Sequence, residues 1–211
     1  SVTDRCNLRC IYCMPEEGVD WVQHEAILSF EEITHLVRIL AHLGIRRIRL
    51  TGGEPLVRLG LPALIASLCE VDGIEQVNLT TNGILFAPMS RELQSAGLHG
   101  VNFSLDTLNP AVFRRITRTD RFSEVRAGID AALALGFPSI KINCVPVQGI
   151  NDGEVTAIAD LAKELPVEVR FIEMMPIGCG KGYAPVTMEQ VYRSLAALYG
   201  PGEAYHGTLG N

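Results

Sequence analysis

Two periodicities take turns along this chain. In IRRIRLT (45–51), QVNLTT (76–81), GVNFSLD (100–106), SIKINCV (139–145) and PVEVRFIE (166–173), apolar and polar residues alternate, the pattern of half-buried strands. The stretches between them carry helical spacing and helix punctuation. Ser29 followed by Glu32 makes a capping box for a helix that runs to about His42 and stops at Gly44. LPALIASLC (61–69) is helical, 88–96 is a short helix ended by Gly97, and Asn109-Pro110 turns the chain into a helix or helix pair. The second part of that pair covers about 123–135 and closes at Gly136; two more helices cover roughly 152–165 and 187–198. The opening SVT reads as the end of a further strand, so the chain is expected to be an excerpt whose first strand is clipped. Six strand–helix units in strict alternation predict an α/β fold, 1–211 as one domain, with a parallel sheet and right-handed crossovers.

The strand faces narrow the architecture. Ile48 and Leu50 oppose Arg47, Arg49 and Thr51; Val77 and Leu79 oppose Asn78, Thr80 and Asn82. Val101, Phe103 and Leu105 oppose Asn102, Ser104 and Asp106, and Ile140, Ile142 and Cys144 oppose Lys141 and Asn143. Val167, Val169 and Phe171 oppose Glu168 and Arg170. A doubly wound sheet is covered on both faces, and its strands should be apolar throughout. One polar face per strand predicts helices on the other face and a curved or partly closed barrel around a polar, ligand-filled lumen.

Composition adds constraints. Of 211 residues, 47% are apolar and 20% charged, which describes a globular protein, and the formal charge of −6 offers no footprint for nucleic acid or an acidic membrane. No apolar run has the length of a membrane span, and no signal segment opens the chain, so a cytoplasmic protein is expected. In a reducing compartment the six cysteines point to ligation before disulfides.

Three of those cysteines crowd into CNLRCIYC: Cys6, Cys10 and Cys13. They follow the opening strand fragment, on the carboxyl-end loop where catalytic groups gather in parallel barrels. A structural zinc site normally takes four protein ligands, often as two Cys-x-x-Cys pairs, and no second pair is present. Three thiolates suit a [4Fe–4S] cubane with its fourth iron open to a small molecule. The Cys-x-x-x-Cys-x-x-Cys loop resembles the signature of the radical S-adenosylmethionine enzymes. That resemblance implies a partial (β/α)6 TIM-like barrel and S-adenosylmethionine chelating the open iron. TGGEP (51–55) by itself marks a turn or a close backbone approach; the resemblance implies that Gly53 contacts the cofactor, with Tyr12 near its adenine.

Arg49, Lys141 and Arg170 would face one lumen in an acidic protein. Buried cations need partners, so either internal carboxylates such as Glu168 and Asp106 neutralise them or an anionic ligand does. PIGCGKG (176–182) lacks P-loop spacing and reads as a flexible loop. The segments CNLRCIYCMPEEGV, LSFEEI, IRRIRLTGGEPLVR, LTTNG, VNFSLDTL, IKINCV and RFIEMMPIG, in that order, are similar to the GTP 3′,8-cyclase family of molybdenum cofactor biosynthesis. That similarity implies a lyase whose 5′-deoxyadenosyl radical abstracts H3′ of GTP and leads to C3′–C8 cyclisation. It implies cluster ligation by Cys6, Cys10 and Cys13, cofactor contacts from Tyr12, Gly53, Ser104 and Met175, and GTP contacts from Arg49, Thr80 and Lys141, with Arg170 as a companion. It also implies an electron-donor protein and a homodimer as partners. The family's second [4Fe–4S] cluster sits in a C-terminal extension without a counterpart before Asn211. One cluster, S-adenosylmethionine binding, weak GTP binding and impaired cyclisation are therefore expected of this chain. Another radical enzyme, for example a peptide-modifying one, and a non-catalytic zinc domain are the competing readings.

Overall fold

The computed structural model of the chain describes residues 1–204; residues 205–211 of the expected domain lie outside that range. Five strands are present, β1 (Arg47–Leu50), β2 (Gln76–Thr81), β3 (Gly100–Ser104), β4 (Ser139–Cys144) and β5 (Glu168–Phe171). They form one sheet in the order β1-β2-β3-β4-β5, and β1–β2, β2–β3 and β4–β5 are parallel. The helices are α1 (Phe30–His42), α2 (Leu61–Cys69), α3 (Phe86–Ser95), α4 (Pro110–Thr117), α5 (Phe122–Ala134), α6 (Val155–Glu164) and α7 (Met188–Tyr199). Five of the six strand–helix units read from the sequence are present; the strand expected at the opening SVT is not.

Two details depart from expectation. The opening SVT is not a strand: Val2 N–H donates to Thr51 O at 2.7 Å, but the next bonds run from Gly53 N–H to Thr3 O (2.8 Å) and Glu54 N–H to Arg5 O (2.7 Å). The segment thus pairs with the loop after β1 and makes no strand ladder. Helix α3 begins two residues before Pro88, which occupies its first turn. There the missing N–H costs nothing, because first-turn donors have no intrahelical partner.

Two compact units make up the chain. Unit 1 comprises Ser1–Asn7, Asp20–Phe103 and Ser123–Ile140; unit 2 comprises Leu8–Val19, Ser104–Phe122 and, of the described residues, 141–204. In unit 1, Ser29 and Glu32 form the predicted capping box at the start of α1. Leu61, Leu64, Ile65 and Leu68 of α2 are fully buried, as are Val77 and Leu79 of β2 and Val101 and Phe103 of β3. Phe86 packs edge-on against Phe103, with ring centroids 5.0 Å apart. In unit 2, Val155, Val186 and Val191 form a core that Phe171, Met188 and Leu195 extend. No helix among the described residues is long and apolar enough to cross a membrane.

Candidate active site

The cysteine motif is divided between the units: Cys6 and Asn7 belong to unit 1, and Leu8–Val19, with Cys10 and Cys13, to unit 2. None of the six cysteines is in a disulfide. Cys6 and Cys10 are half-buried and Cys13 is exposed. Burial pushes the Cys144 thiol well up, and Cys69, also raised by burial, spends its S–H on Gly97 O at 3.4 Å. Those two are neutral thiols in the wrong places for ligation. Cys69 is exposed at the end of α2. Among the described residues no three His, Cys, Asp or Glu side chains cluster closely enough to hold a metal ion.

In unit 1 the glycines of TGGEP are there for the chain itself. A Cβ on Gly53 would sit 2.3 Å from Arg5 O, and one on Gly52 2.5 Å from Thr3 O. Their side-chain hydrogens admit the segment that leads into Cys6. Glu54 follows, buried, and its carboxylate meets no cation. Oε1 accepts from Leu56 N–H (3.0 Å) and the Thr81 hydroxyl (2.8 Å), and Oε2 from Asn82 N–H (2.7 Å). Those donors favour the carboxylate, yet burial outweighs them and holds its pKa above the ordinary range. Asn82 is thereby fixed at the end of β2. Its Oδ1 accepts from Ile84 N–H (3.1 Å), and its Nδ2 donates to Asn7 Oδ1 (2.7 Å) and lies 4.0 Å from Cys6 Sγ.

In unit 2 the loop finishes a helix. Last-turn carbonyls of a helix lack intrahelical donors; those of α4 receive Ile11 N–H at Ile116 O (2.9 Å) and Arg9 N–H at Thr117 O (3.3 Å). Cys13 and Met14 N–H both turn back onto Cys10 O (2.9 and 3.1 Å), which places Cys10 and Cys13 on one turn. Arg118, with φ 60°, is left-handed, the one non-glycine residue with positive φ among those described. Its guanidinium donates to Arg9 O at 2.9 Å and Met14 O at 3.4 Å and pairs with Glu16 at 3.7 Å. The Tyr12 hydroxyl donates to Asp106 Oδ2, while Asp106 Oδ1 accepts from Val145 N–H at 2.8 Å. Burial raises both groups' pKa values, keeping Tyr12 protonated as the donor. Asn151 Nδ2 locks the corner by donating to Asp106 O (2.7 Å) and Val145 O (3.0 Å).

The expected cations are partly met from within. The register of β4 and β5 sets Lys141 beside Glu168, and Lys141 Nζ lies 3.1 Å from Glu168 Oε2. Arg170 Nη2 reaches the same oxygen at 3.2 Å. The two cations thus share one carboxylate oxygen. Lys141 is buried, Thr80 half-buried, and Arg49, Ser104 and Met175 are exposed. Buried Asn78 and Asn102 in unit 1 and half-buried Asn143 in unit 2 each carry a buried amide atom with no hydrogen-bond partner. A cleft of about 610 Å³ in unit 1, lined by Val2, Thr3, Arg5, Phe30 and Arg58 among others, includes none of the predicted site residues.

Strand alternation, the thiol loop and the glycine-lined strand end are those of a radical S-adenosylmethionine core, and the sequence model of the Radical SAM superfamily matches residues 1–162. The chain belongs to that superfamily. Among curated relatives, it is 51% identical over 199 residues to "GTP 3′,8-cyclase" of Heliobacterium modesticaldum, covering 93% of this chain and 61% of the relative. It is 49% identical over 203 residues to "GTP 3′,8-cyclase" of Desulforamulus reducens, covering 95% and 62%. The chain thus spans about three-fifths of the length of these relatives. Among solved structures, SuiB of Streptococcus suis superposes with a TM-score of 0.69 at 15% identity, over 93% of this chain and 43% of that one. HydG, a maturase of the [FeFe]-hydrogenase, gives 0.68 at 14% identity, over 93% and 47%. These likenesses establish the fold as that of the radical S-adenosylmethionine enzymes.

Proposed function

We propose that this chain is the radical S-adenosylmethionine core of a GTP 3′,8-cyclase, an enzyme that joins C3′ to C8 of GTP. The observation that carries the reading is identity of about half over 93% of the chain to a curated enzyme of that name. The donor set fits a sulfur-rich anionic cluster. Cys10 and Cys13 share one turn, and beside Cys6 the Asn7 amide nitrogen is buried without a partner. Cys6, Cys10 and Cys13 would ligate a [4Fe–4S] cluster, and Tyr12, Gly53, Ser104 and Met175 would contact S-adenosylmethionine. Bound together, the two supply a 5′-deoxyadenosyl radical.

The protein's own residues bind and orient. Tyr12 is held by Asp106, so its ring is fixed before any cofactor arrives. Exposed Arg49 and half-buried Thr80 offer a cation and a hydroxyl to a triphosphate. In unit 2, Lys141 and Arg170, aligned by Glu168 Oε2, offer two further cations to an anionic group. A polyphosphate is the ligand class these groups suit; the guanosine part of the reading rests on the relatives named GTP 3′,8-cyclase, and an electron-donor protein is the implied partner. The test is anaerobic reconstitution with iron and sulfide, followed by thermal unfolding with S-adenosylmethionine and either GTP or ATP. About four irons per chain, and a larger stabilisation by GTP that Lys141→Ala removes, are expected. Equal shifts with GTP and ATP would overturn the substrate assignment.

A further inference from the structure

Asn7 is the residue of the cysteine motif for which neither the motif nor the fold assigns a task. Its amide orientation is determined, not chosen. Ile84 N–H needs an acceptor and takes Asn82 Oδ1, so Asn82 must present Nδ2 to Asn7. Asn7 must answer with Oδ1, which leaves its own Nδ2 on the far side. That nitrogen is buried and has no hydrogen-bond partner. An unsatisfied buried amide donor is destabilising, a cost that a fold keeps where an acceptor arrives later. Adjacent in sequence lies Cys6, and Asn82 Nδ2 is itself 4.0 Å from Cys6 Sγ. Glu54 anchors the arrangement through Asn82 N–H at 2.7 Å. Glu54, Asn82 and Asn7 therefore form a chain of hydrogen bonds that ends in a buried, unpaired donor on the residue next to Cys6.

We infer that Asn7 is a positioning and tuning residue, donating its Nδ2–H to a sulfur of the [4Fe–4S] cluster, with Asn82 as the group that orients it. The inference rests on the cluster reading above. Hydrogen bonds to cluster sulfurs are one of the levers on reduction potential, because they favour the more negatively charged, reduced form. Loss of the donor makes reduction harder. It also gives TGGEP a second task beyond its close backbone approach: its glutamate fixes the strand end that aims Asn7.

The test compares reconstituted wild-type, Asn7→Leu and Asn82→Ala chains by iron content and by redox titration followed in the electron paramagnetic resonance spectrum. Leucine keeps the shape of Asn7 and removes its donor. Asn7→Leu is expected to retain about four irons per chain and to lower the reduction equilibrium constant about tenfold, a midpoint ~59 mV more negative. Asn82→Ala leaves Asn7 in place but unaimed, and should shift the midpoint the same way by less. Wild-type midpoints in both variants would overturn the inference. If Asn7→Leu retains no iron, Asn82→Ala decides alone, and an unchanged midpoint there overturns it. A wild-type chain that binds no iron would overturn the cluster reading instead.

Discussion

Each unit brings one cation-free carboxylate to its own part of the cysteine motif, and the two carboxylates are used differently. Glu54 in unit 1 accepts two backbone N–H groups and a hydroxyl, all from residues next to it or at the end of β2. It shapes a strand end, and reaches the motif through Asn82. Asp106 in unit 2 accepts one backbone N–H and the Tyr12 hydroxyl, and so holds the motif directly through one side chain. A charge buried without a counter-charge is stable when N–H and O–H donors surround it. The contrast separates scaffold from adjustable part: Glu54 supports backbone that many contacts share, while one oxygen atom of Tyr12 carries the Asp106 tether.

Substitutions sharpen that contrast. Glu54→Ala strands three donors and opens a cavity, and should destabilise the fold by about 4 kcal/mol in urea unfolding. Glu54→Gln, which keeps one acceptor, should cost about half as much. Asp106→Ala strands Val145 N–H and the Tyr12 hydroxyl, for about 2–3 kcal/mol. An Asp106→Ala cost equal to that of Glu54→Ala would erase the distinction. Tyr12→Phe should cost only about 1 kcal/mol and leave iron content at its wild-type value; loss of iron would show that the tether is needed for loading.

The smallest expected effect is one of pH. Burial raises the Glu54 pKa in the folded state above its ordinary value of 4.5. Such a carboxyl contributes stability that is complete below about pH 4.5 and is lost as pH rises through the higher folded value. The stability gap between wild type and Glu54→Gln should therefore narrow as pH rises through that window. A gap that widens with pH would mean that the folded pKa is lowered.

Much of the fold was legible because its signals are local. α2 spans the predicted residues, and the Ser29–Glu32 box caps α1 as read. β2 also matches, while β1, β3 and β5 are shorter than their alternating patterns. At the site, Glu168 and Asp106 were the two carboxylates offered as neutralisers of lumen cations: Glu168 does pair Lys141 and Arg170, whereas Asp106 accepts from Tyr12 and Val145 instead. What the sequence hid are partnerships across long separations. Tyr12 and Asp106 are 94 positions apart, and Asn7 and Asn82 75 apart. The left-handed Arg118 was hidden too, because that conformation normally advertises itself with glycine or asparagine. Asn82 did carry a signal: its polar row placed it with Thr80 on the ligand-facing side of β2.

The proposal that this core directs its radical at the ribose of GTP has a direct test. The reconstituted chain is reduced anaerobically with S-adenosylmethionine and GTP bearing deuterium at C3′, and the 5′-deoxyadenosine formed is weighed by mass spectrometry. The account predicts 5′-deoxyadenosine one mass unit heavier than that formed with unlabelled GTP. Unlabelled 5′-deoxyadenosine in the presence of the labelled nucleotide would contradict it.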